Sequence, residues 1–410
     1  MRNILSALDI GTSKTCALVA EVGETNGNGN GQHGMALLGY GVVPCAGLRK
    51  GVVVNIDATV DSIRDAVAEA EKTSGVKISA ATVGIAGAHI RGFNSHGIVA
   101  VRGGEVGARD VERVIDAARA VAIPLDRQVL HVLPQQFAVD EQEGVHDPIG
   151  MAGVRLEARI HIVTAAQSYA QNLMKCCERG GVRAATMVLE PLASAEAALF
   201  SEERELGVAL VDIGGGTTDI IVFHGGAVMH TAVLPLGGNH LTGDLAAGLR
   251  TALADAERLK TSYGVATNIV VGRDEMVSVP GVGGREPRII ARRLLGEILE
   301  PRMEEIFAMV QRELLRSGVA EALASGLVLV GGSSLLEGTQ ELAERVFNLP
   351  VRRGLPVNLA GMPEDLMKPM FATAAGLLLM ARSNERSSVG RPRRWIKLRS
   401  RVSEWVRDFF

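Results

Sequence analysis

Short apolar runs alternate with amphipathic stretches along the chain, which predicts strands separated by helices in an α/β arrangement. Residues 4–8 and 16–20 are apolar and flank Asp9-Ile10-Gly11-Thr12-Ser13-Lys14-Thr15. The same layout returns in the second half: residues 208–211 lead into Asp212-Ile213-Gly214-Gly215-Gly216-Thr217-Thr218-Asp219, and 220–223 follow. Each copy reads as a β-hairpin whose Gly-rich turn is preceded by an acidic residue at a strand end. Two such hairpins imply two similar halves facing one another.

Helical spacing is clearest over residues 57–74, where Val60, Ile63, Val67 and Ala70 share a face and Gly75 stands at the C-cap position. Residues 110–121 repeat the pattern with Val111, Val114, Ile115 and Ala118, and a third helix is expected over 166–179, stopped by Gly180-Gly181. A long helical pattern covers 289–316, but Pro301 inside it predicts a kink or two consecutive helices. Residues 23–34 and 280–287 are expected to be exposed, mobile loops. A polar stretch, 382–392, reads as a flexible linker that ends the globular part.

Composition agrees with a loop-rich α/β protein: 47% of the chain is hydrophobic, only 3% is aromatic, and 48 residues are Gly. Net charge is −3, yet residues 391–410 carry seven basic and two acidic side chains, a net +5, which leaves −8 for the body. An acidic body with a basic tail points to an anionic partner for the tail alone. Cys16, Cys45, Cys176 and Cys177 have no metal-ligand spacing and read as reduced, buried thiols of a cytosolic protein. The N-terminus lacks the apolar length of a signal peptide, and no run is long and apolar enough to span a bilayer.

Loops that bind phosphate must offer backbone N–H groups at close range, which Gly and small hydroxyl residues permit. Gly11-Thr12-Ser13 and Gly214-Gly215-Gly216-Thr217 are such loops, and Lys14 adds a point charge for a β- or γ-phosphate oxygen. Asp9 and Asp212 stand where they would hold Mg²⁺ through water, since that ion is hard, octahedral and slow to dehydrate. The alternative for each turn is an ordinary tight hairpin. Gly331-Gly332-Ser333, after an apolar strand, is suited to approach an adenine or ribose, and Gly237-Gly238 joins the same cofactor set. Glu257 and Lys260, three apart on a helix over 252–262, would make ribose and adenine contacts or else form a solvated face.

Five segments together resemble the nucleotide-site motifs of the actin, Hsp70 and hexokinase superfamily in their usual order. They are Asp9-Ile10-Gly11-Thr12, Leu189-Glu190-Pro191-Leu192-Ala193-Ser194-Ala195, residues 212–219, Gly331-Gly332-Ser333-Ser334 and Phe371-Ala372-Thr373-Ala374-Ala375-Gly376. Within the superfamily the chain most resembles the FtsA family, bacterial division proteins that tie FtsZ filaments to the inner membrane; residues 127–137 and 150–156 carry that narrower likeness.

The resemblance implies a two-lobed actin-like (ribonuclease H-like) fold that binds ATP and Mg²⁺, with at most slow hydrolysis. Asp9 and Asp212 would organise the metal, and Glu190 would stand where relatives orient the attacking water. For Glu190 the alternative is a first-turn carboxylate stabilised by a helix dipole. Residues 1–82 and 165–205, joined by 360–381, would form the first lobe. Residues 206–359 would form the second, with a smaller subdomain near 251–317 that receives FtsZ through its C-terminal tail. An inserted subdomain, 83–164, would meet other division proteins. The chain would also polymerise with itself. A pilus-type actin-like adaptor and a small-molecule kinase of the same superfamily are the alternatives.

The C-terminal segment, 393–410, has a chemistry of its own. Trp395, Leu398, Val402, Trp405 and Phe409 recur at intervals of three and four, widened by Ile396, Val406 and Phe410, and basic residues including Arg393, Arg394 and Lys397 take the other face. Both tryptophans of the chain are here. This is the pattern of an amphipathic helix lying in an anionic membrane surface; the resemblance implies that this surface is the cytoplasmic face of the bacterial inner membrane at the division site, with the chain held there peripherally. A helix docked on the protein's own body or on a coiled-coil partner is the alternative. A nucleic-acid arm is not expected, because phosphate contacts need no apolar stripe.

Overall fold

The computed structural model describes residues 3–23, 35–357, 359 and 361–389. The amphipathic segment 393–410 and most of the 23–34 loop lie outside the described residues.

Among the described residues eighteen strands and ten α-helices follow one another. The first hairpin is β1 (Asn3–Ile10) and β2 (Lys14–Val22), continued by β3 (Met35–Pro44) and the short pair β4 (Leu48–Arg49) and β5 (Val52–Val53). Then come α1 (Ile56–Ser74) and β6 (Ala80–Ile85). Next are β7 (Arg91–Ala100), α2 (Ala108–Arg119), β8 (Arg127–Val139), β9 (Gln142–Val145) and β10 (Arg155–Ala166). After α3 (Gln167–Arg179) the chain forms β11 (Arg183–Leu189), α4 (Glu190–Ala198) and α5 (Ser201–Leu206). The second hairpin is β12 (Val208–Ile213) and β13 (Thr218–His224), followed by β14 (Ala227–Leu234), α6 (Gly238–Leu249) and α7 (Leu253–Tyr263). The rest is β15 (Met276–Val279), β16 (Arg288–Ala291), α8 (Arg293–Arg316), β17 (Leu327–Val330), α9 (Thr339–Phe347), β18 (Val351–Arg353) and α10 (Ala372–Val389).

Two five-stranded sheets repeat one plan. The first runs β3-β2-β1-β6-β11 and the second β14-β13-β12-β17-β18. In each, three antiparallel strands meet two parallel ones, the parallel partners being β1 with β6 and β12 with β17. The duplicated hairpins therefore occupy equivalent places in duplicated sheets, with Asp9 opposite Cys16 and Asp212 opposite Asp219 at matching registers. A third sheet, β7-β10-β8-β9, carries α2 on one face and a core of its own.

Helix α1 shows how local sequence sets these elements. Asn55 accepts the Ala58 amide at its N-terminus, Gly75 closes its C-terminus in the left-handed region at φ 69, and Val60, Ile63, Ala66 and Ala70 are buried against the first sheet. Burying each larger apolar side chain contributes about 1.5–3 kcal/mol. Helices α4 and α10 pack closer still: a Cβ on Gly376 would collide with the Ala193 carbonyl, so the small residues of both helices let their backbones touch.

Two expectations are corrected. Residues 289–291 belong to strand β16, where Ile289 and Ile290 pair with Ser278 and Val277, and the helix that follows is continuous through Pro301. Branched residues favour the strand, and Arg292 opens the helix after it. The expected linker is helical as far as it is described, because α10 runs to Val389; no Gly or Pro interrupts it before Gly390 and Pro392. The 280–287 loop and the helices at α2 and α3 appear where expected, α2 starting two residues earlier, at Ala108.

The inserted sheet is fastened to the second lobe by a buried polar cluster. Gln135 Nε2 donates to the carbonyls of Val228 at 2.9 Å and Met229 at 3.3 Å, and Asn94 Nδ2 to Met229 at 3.4 Å. These donors satisfy carbonyls of β14, the edge strand of its sheet. His161, fully buried, bridges Asn94 Oδ1 at 2.6 Å and Thr231 Oγ1 at 2.8 Å. Asn94 Oδ1 only accepts, so Nδ1 carries the imidazole proton and Nε2 accepts from the Thr231 hydroxyl. Burial, reinforced by His230, pushes His161 down to about 3 and keeps it neutral. Among the described residues no helix is long and apolar enough to cross a membrane.

Candidate functional site

The two hairpin tips meet. Gly11 donates its amide to the Lys14 carbonyl at 2.9 Å, and Gly214 to the Thr217 carbonyl at 3.0 Å, so both turns close in the same way. Across the gap a Cβ on Gly215 would collide with Ser13 Oγ, and one on Gly216 would stand 2.7 Å from Thr12 Oγ1 and 2.9 Å from the Lys50 amide nitrogen. Glycine lets these tips approach: a side chain on Gly215 or Gly216 would displace Ser13, Thr12 or the Lys50 backbone.

Beneath the tips lies a cluster of acids. Asp9 is 4% exposed and receives Lys14 Nζ at 3.1 Å. Burial alone would lower the Lys14 ammonium, but Asp9, Cys16 and Asp212 together outweigh it and the pKa is raised, so the ammonium stays charged. Asp212 Oδ2 accepts from Ser194 Oγ at 3.0 Å and Thr373 Oγ1 at 3.3 Å, and those hydroxyls lie 2.8 Å apart. The close crossing of α4 and α10 delivers them. Asp219 accepts from Thr217 Oγ1 at 2.9 Å through Oδ2, while its Oδ1 is buried without a partner.

Electrostatics in this cluster run against ionisation. Burial pushes Asp212 up to about 6, an effect strengthened by Asp9 and opposed by the Ser194 hydrogen bond. Burial and then Asp212 push Asp219 up to about 8. Glu190, in the first turn of α4, is held well above the usual carboxylate range by burial, then by Asp9, Asp219 and Asp212. Its side chain packs against Gly84 at the end of β6, where a Cβ would come 3.0 Å from Glu190 Cγ. A helix dipole alone would lower this pKa, so burial, with the neighbouring acids behind it, decides.

The remaining expected residues converge on the second hairpin. Gly238 and Asn239 donate amides to the carbonyls of Gly214 at 2.8 Å and Gly215 at 2.7 Å, seating the start of α6 against the turn. A Cβ on Gly237 would crowd the Gly214 carbonyl at 2.6 Å, and one on Gly238 would meet Ser333 Oγ at 2.5 Å. Ser333 Oγ itself reaches the Gly214 carbonyl at 3.4 Å. Lys260 is buried and donates to the Gly238 carbonyl at 3.1 Å, Thr242 Oγ1 at 2.9 Å and Glu257 Oε2 at 2.7 Å. The solvated-face alternative therefore fails for Lys260, while the Glu257 side chain keeps 45% exposure. Gly331, with φ 85, backs directly onto Asp212, and Gly332 has open space beside it.

Sequence reasoning quoted Asp219, Ser194 and Thr373 within motifs but assigned them no role. Strand register would have flagged Asp219, which falls opposite Asp212 in any two-stranded reading of that hairpin. Ser194 and Thr373 become partners only through the helix crossing. Among the described residues no three His, Cys, Asp or Glu side chains converge to hold a metal ion by themselves. All four cysteines are buried and free, and burial pushes the Cys16 thiol up to about 12.

Comparison with known proteins agrees with this architecture. The family model described as "Cell division protein FtsA" matches residues 209–376, and that of the "SHS2 domain inserted in FTSA" matches 87–164. The chain is 50% identical over 376 residues to the cell division protein FtsA of Pseudomonas aeruginosa, covering 92% of this chain and 88% of that protein. It is 38% identical to the Escherichia coli K12 protein of that name, over 100% of this chain and 99% of that one. Among solved structures it resembles a PilM-PilN type IV pilus biogenesis complex, at TM-score 0.65 and 19% identity, over 92% of this chain and 98% of that one. It also resembles MreB5 of Spiroplasma citri bound to ADP, at TM-score 0.57 and 14% identity, over 95% and 99%. Those likenesses show the fold, the two-lobed actin-like architecture expected from the sequence. Extended identity to named relatives shows the family: the chain belongs to the FtsA family of cell division proteins.

Proposed function

We propose that this division protein binds Mg-ATP between its lobes, polymerises, and tethers FtsZ filaments to the cytoplasmic membrane through its C-terminal segment. The observation that carries the nucleotide reading is the meeting of two like hairpins over buried acids. Small tip residues Thr12, Ser13, Gly215 and Gly216 suit close approach by phosphate oxygens. Lys14 adds a cation on the first-hairpin side. Lys260 and Glu257 lie beside Gly238 and Ser333, where a ribose and adenine would rest.

The residues fit a magnesium ion held jointly with phosphate. Asp9 and Asp212 offer carboxylates, Asp219 has an unpaired buried oxygen, and the upward shifts of Asp212, Asp219 and Glu190 mark a site short of positive charge. When bound, the ion would supply charge neutralisation for the phosphates. In this chain Asp212 would be oriented by Ser194 and Thr373, and Glu190 would lie within the same field, placed to orient a water. Calorimetric titration with Mg-ATP tests the reading; absence of binding by intact protein overturns it.

The FtsZ and membrane assignments rest on different features. The part of the second lobe around 251–317 exposes Leu253, Ile269, Met276 and Ile289, apolar surface suited to a partner segment. The tail's pairing of an apolar stripe with a net +5 suits an anionic bilayer. Co-sedimentation with FtsZ and anionic vesicles, with and without residues 391–410, tests both: loss of vesicle binding on truncation is expected, and its persistence would refute the anchor.

A further inference from the structure

A cavity of about 550 Å³ opens between the inserted sheet and the turn joining β13 to β14, away from the hairpin cleft. That is within the range of small-molecule sites, roughly 300–1,000 Å³. Its lining is unusual for an acidic protein: one arginine and three histidines contribute, with amide side chains and no Asp or Glu.

The floor is built in two rows on one face of the sheet. In the first, Asn94 lies opposite His161, and both are committed, with Gln135, to the second lobe. In the next, Arg159 lies opposite His96 on one side and Gln136 on the other, so three polar side chains stand abreast. His96 is held by Glu157 Oε2 at 2.8 Å, and the other oxygen of Glu157 is taken by Arg155 Nε at 3.0 Å. The acid nearest in sequence is thus occupied, and among the described residues the Arg159 side chain makes no ion pair or hydrogen bond, nor do the side chains of Gln136 and His224. The buried cluster beneath fixes both walls, so the cavity is preformed.

We propose that this cavity binds a small anionic molecule that presents carboxylate or phosphate oxygens to the Arg159 guanidinium. Arginine takes such groups through two parallel hydrogen bonds. Gln136 and His224 donate to the remaining oxygens from the two walls. An occupant therefore touches the inserted subdomain and the second lobe together.

The test uses the full chain with labelled histidines, titrated separately with citrate and with inorganic phosphate. Imidazole resonances of His96, His146 and His224 report on the cavity, and His240, whose Nδ1 accepts the Gly237 amide at 3.2 Å, reports on the hairpin cleft. Saturable shifts of the cavity histidines with either anion support the proposal, and the stronger anion tells carboxylate from phosphate. Arg159→Gln should weaken that binding about tenfold or more, with an unchanged melting temperature because Arg159 is exposed. Shifts confined to His240 would place the anion in the cleft and overturn the cavity site while leaving the nucleotide reading intact. Unmoved cavity histidines, or shifts equally saturable in Arg159→Gln, would also overturn it.

Discussion

Gly216 and Thr12 stand tip to tip across the two hairpins, so near that a single methyl on Gly216 would come 2.7 Å from the Thr12 hydroxyl oxygen. The Thr12 side chain can turn away, but the Lys50 backbone, at 2.9 Å from the same point, can only move as a unit. Gly216→Ala should hold the lobes apart and weaken Mg-ATP binding about tenfold, with the melting temperature within a degree or two. Calorimetry beside a thermal melt checks this; equal affinity would show that the tips separate freely.

Asp212 carries its charge at an energetic disadvantage, because burial first and Asp9 next push it up to about 6. Asp212→Asn keeps an acceptor for Ser194 and Thr373 while removing the buried charge. The nucleotide-free protein should melt about 2–4 °C higher, and magnesium-dependent nucleotide binding should fall at least about tenfold. A lower melting temperature would mean that the carboxylate is structural.

Acid should cost the protein the stability held by two buried neutral histidines, against the gain that the raised carboxylates Asp212, Asp219 and Glu190 make on protonation. His131 accepts the Leu189 amide at 3.0 Å through Nε2, and burial pushes it down to about 4; His161 is pushed down to about 3. Both stay neutral in the fold, whereas in the unfolded chain they take up protons below about 6.5, so the unfolded state binds more protons between those values. The histidines' contribution is complete above pH 6.5 and declines as pH falls toward 4. At pH 5 the loss is about 2 kcal/mol for His161. Melts of the intact chain and of His161→Gln at pH 7.5 and 5 isolate this share, because the carboxylates are common to both: the variant should lose less, or gain more, on acidification, and equal changes would show that His161 takes no part.

Membrane attachment should depend on the apolar stripe more than on any single cation. Trp405→Glu puts a charge where the acyl boundary must receive it, a cost of a few kcal/mol, so vesicle binding is lost. Arg394→Gln removes about 1 kcal/mol, leaving binding weakened and more salt-sensitive. Vesicle flotation of both variants at two salt concentrations distinguishes them; equal losses would point to a purely electrostatic attachment.

What the sequence disclosed and what it hid divide along locality. Hairpins and the Gly75 cap of α1 were legible because turn chemistry and periodicity act over a few residues, whereas the insertion was expected from the family resemblance alone. The Asp212–Ser194–Thr373 triangle was not, since it needs three segments to meet through a helix crossing that depends on Gly376 and Ala193 lacking bulk. Ile289–Ala291 was misread as helix because three apolar residues fit either period, and only pairing with β15 decides. The His161 cluster gave no local signal: a lone histidine in an apolar strand acquires its partners from another lobe.

Helix α10 has a further meaning once its length is considered. It starts beside Thr373, whose hydroxyl touches Asp212, and runs without a break to Val389, about 24 Å at 1.5 Å per residue. Where a loose string was expected, a stiff spar joins the floor of the cleft to the root of the tail. Under the proposed tether, this spar would set how far from the cleft the attachment begins. A pull on the attached segment would then arrive at the helix that supplies Thr373 to the carboxylate.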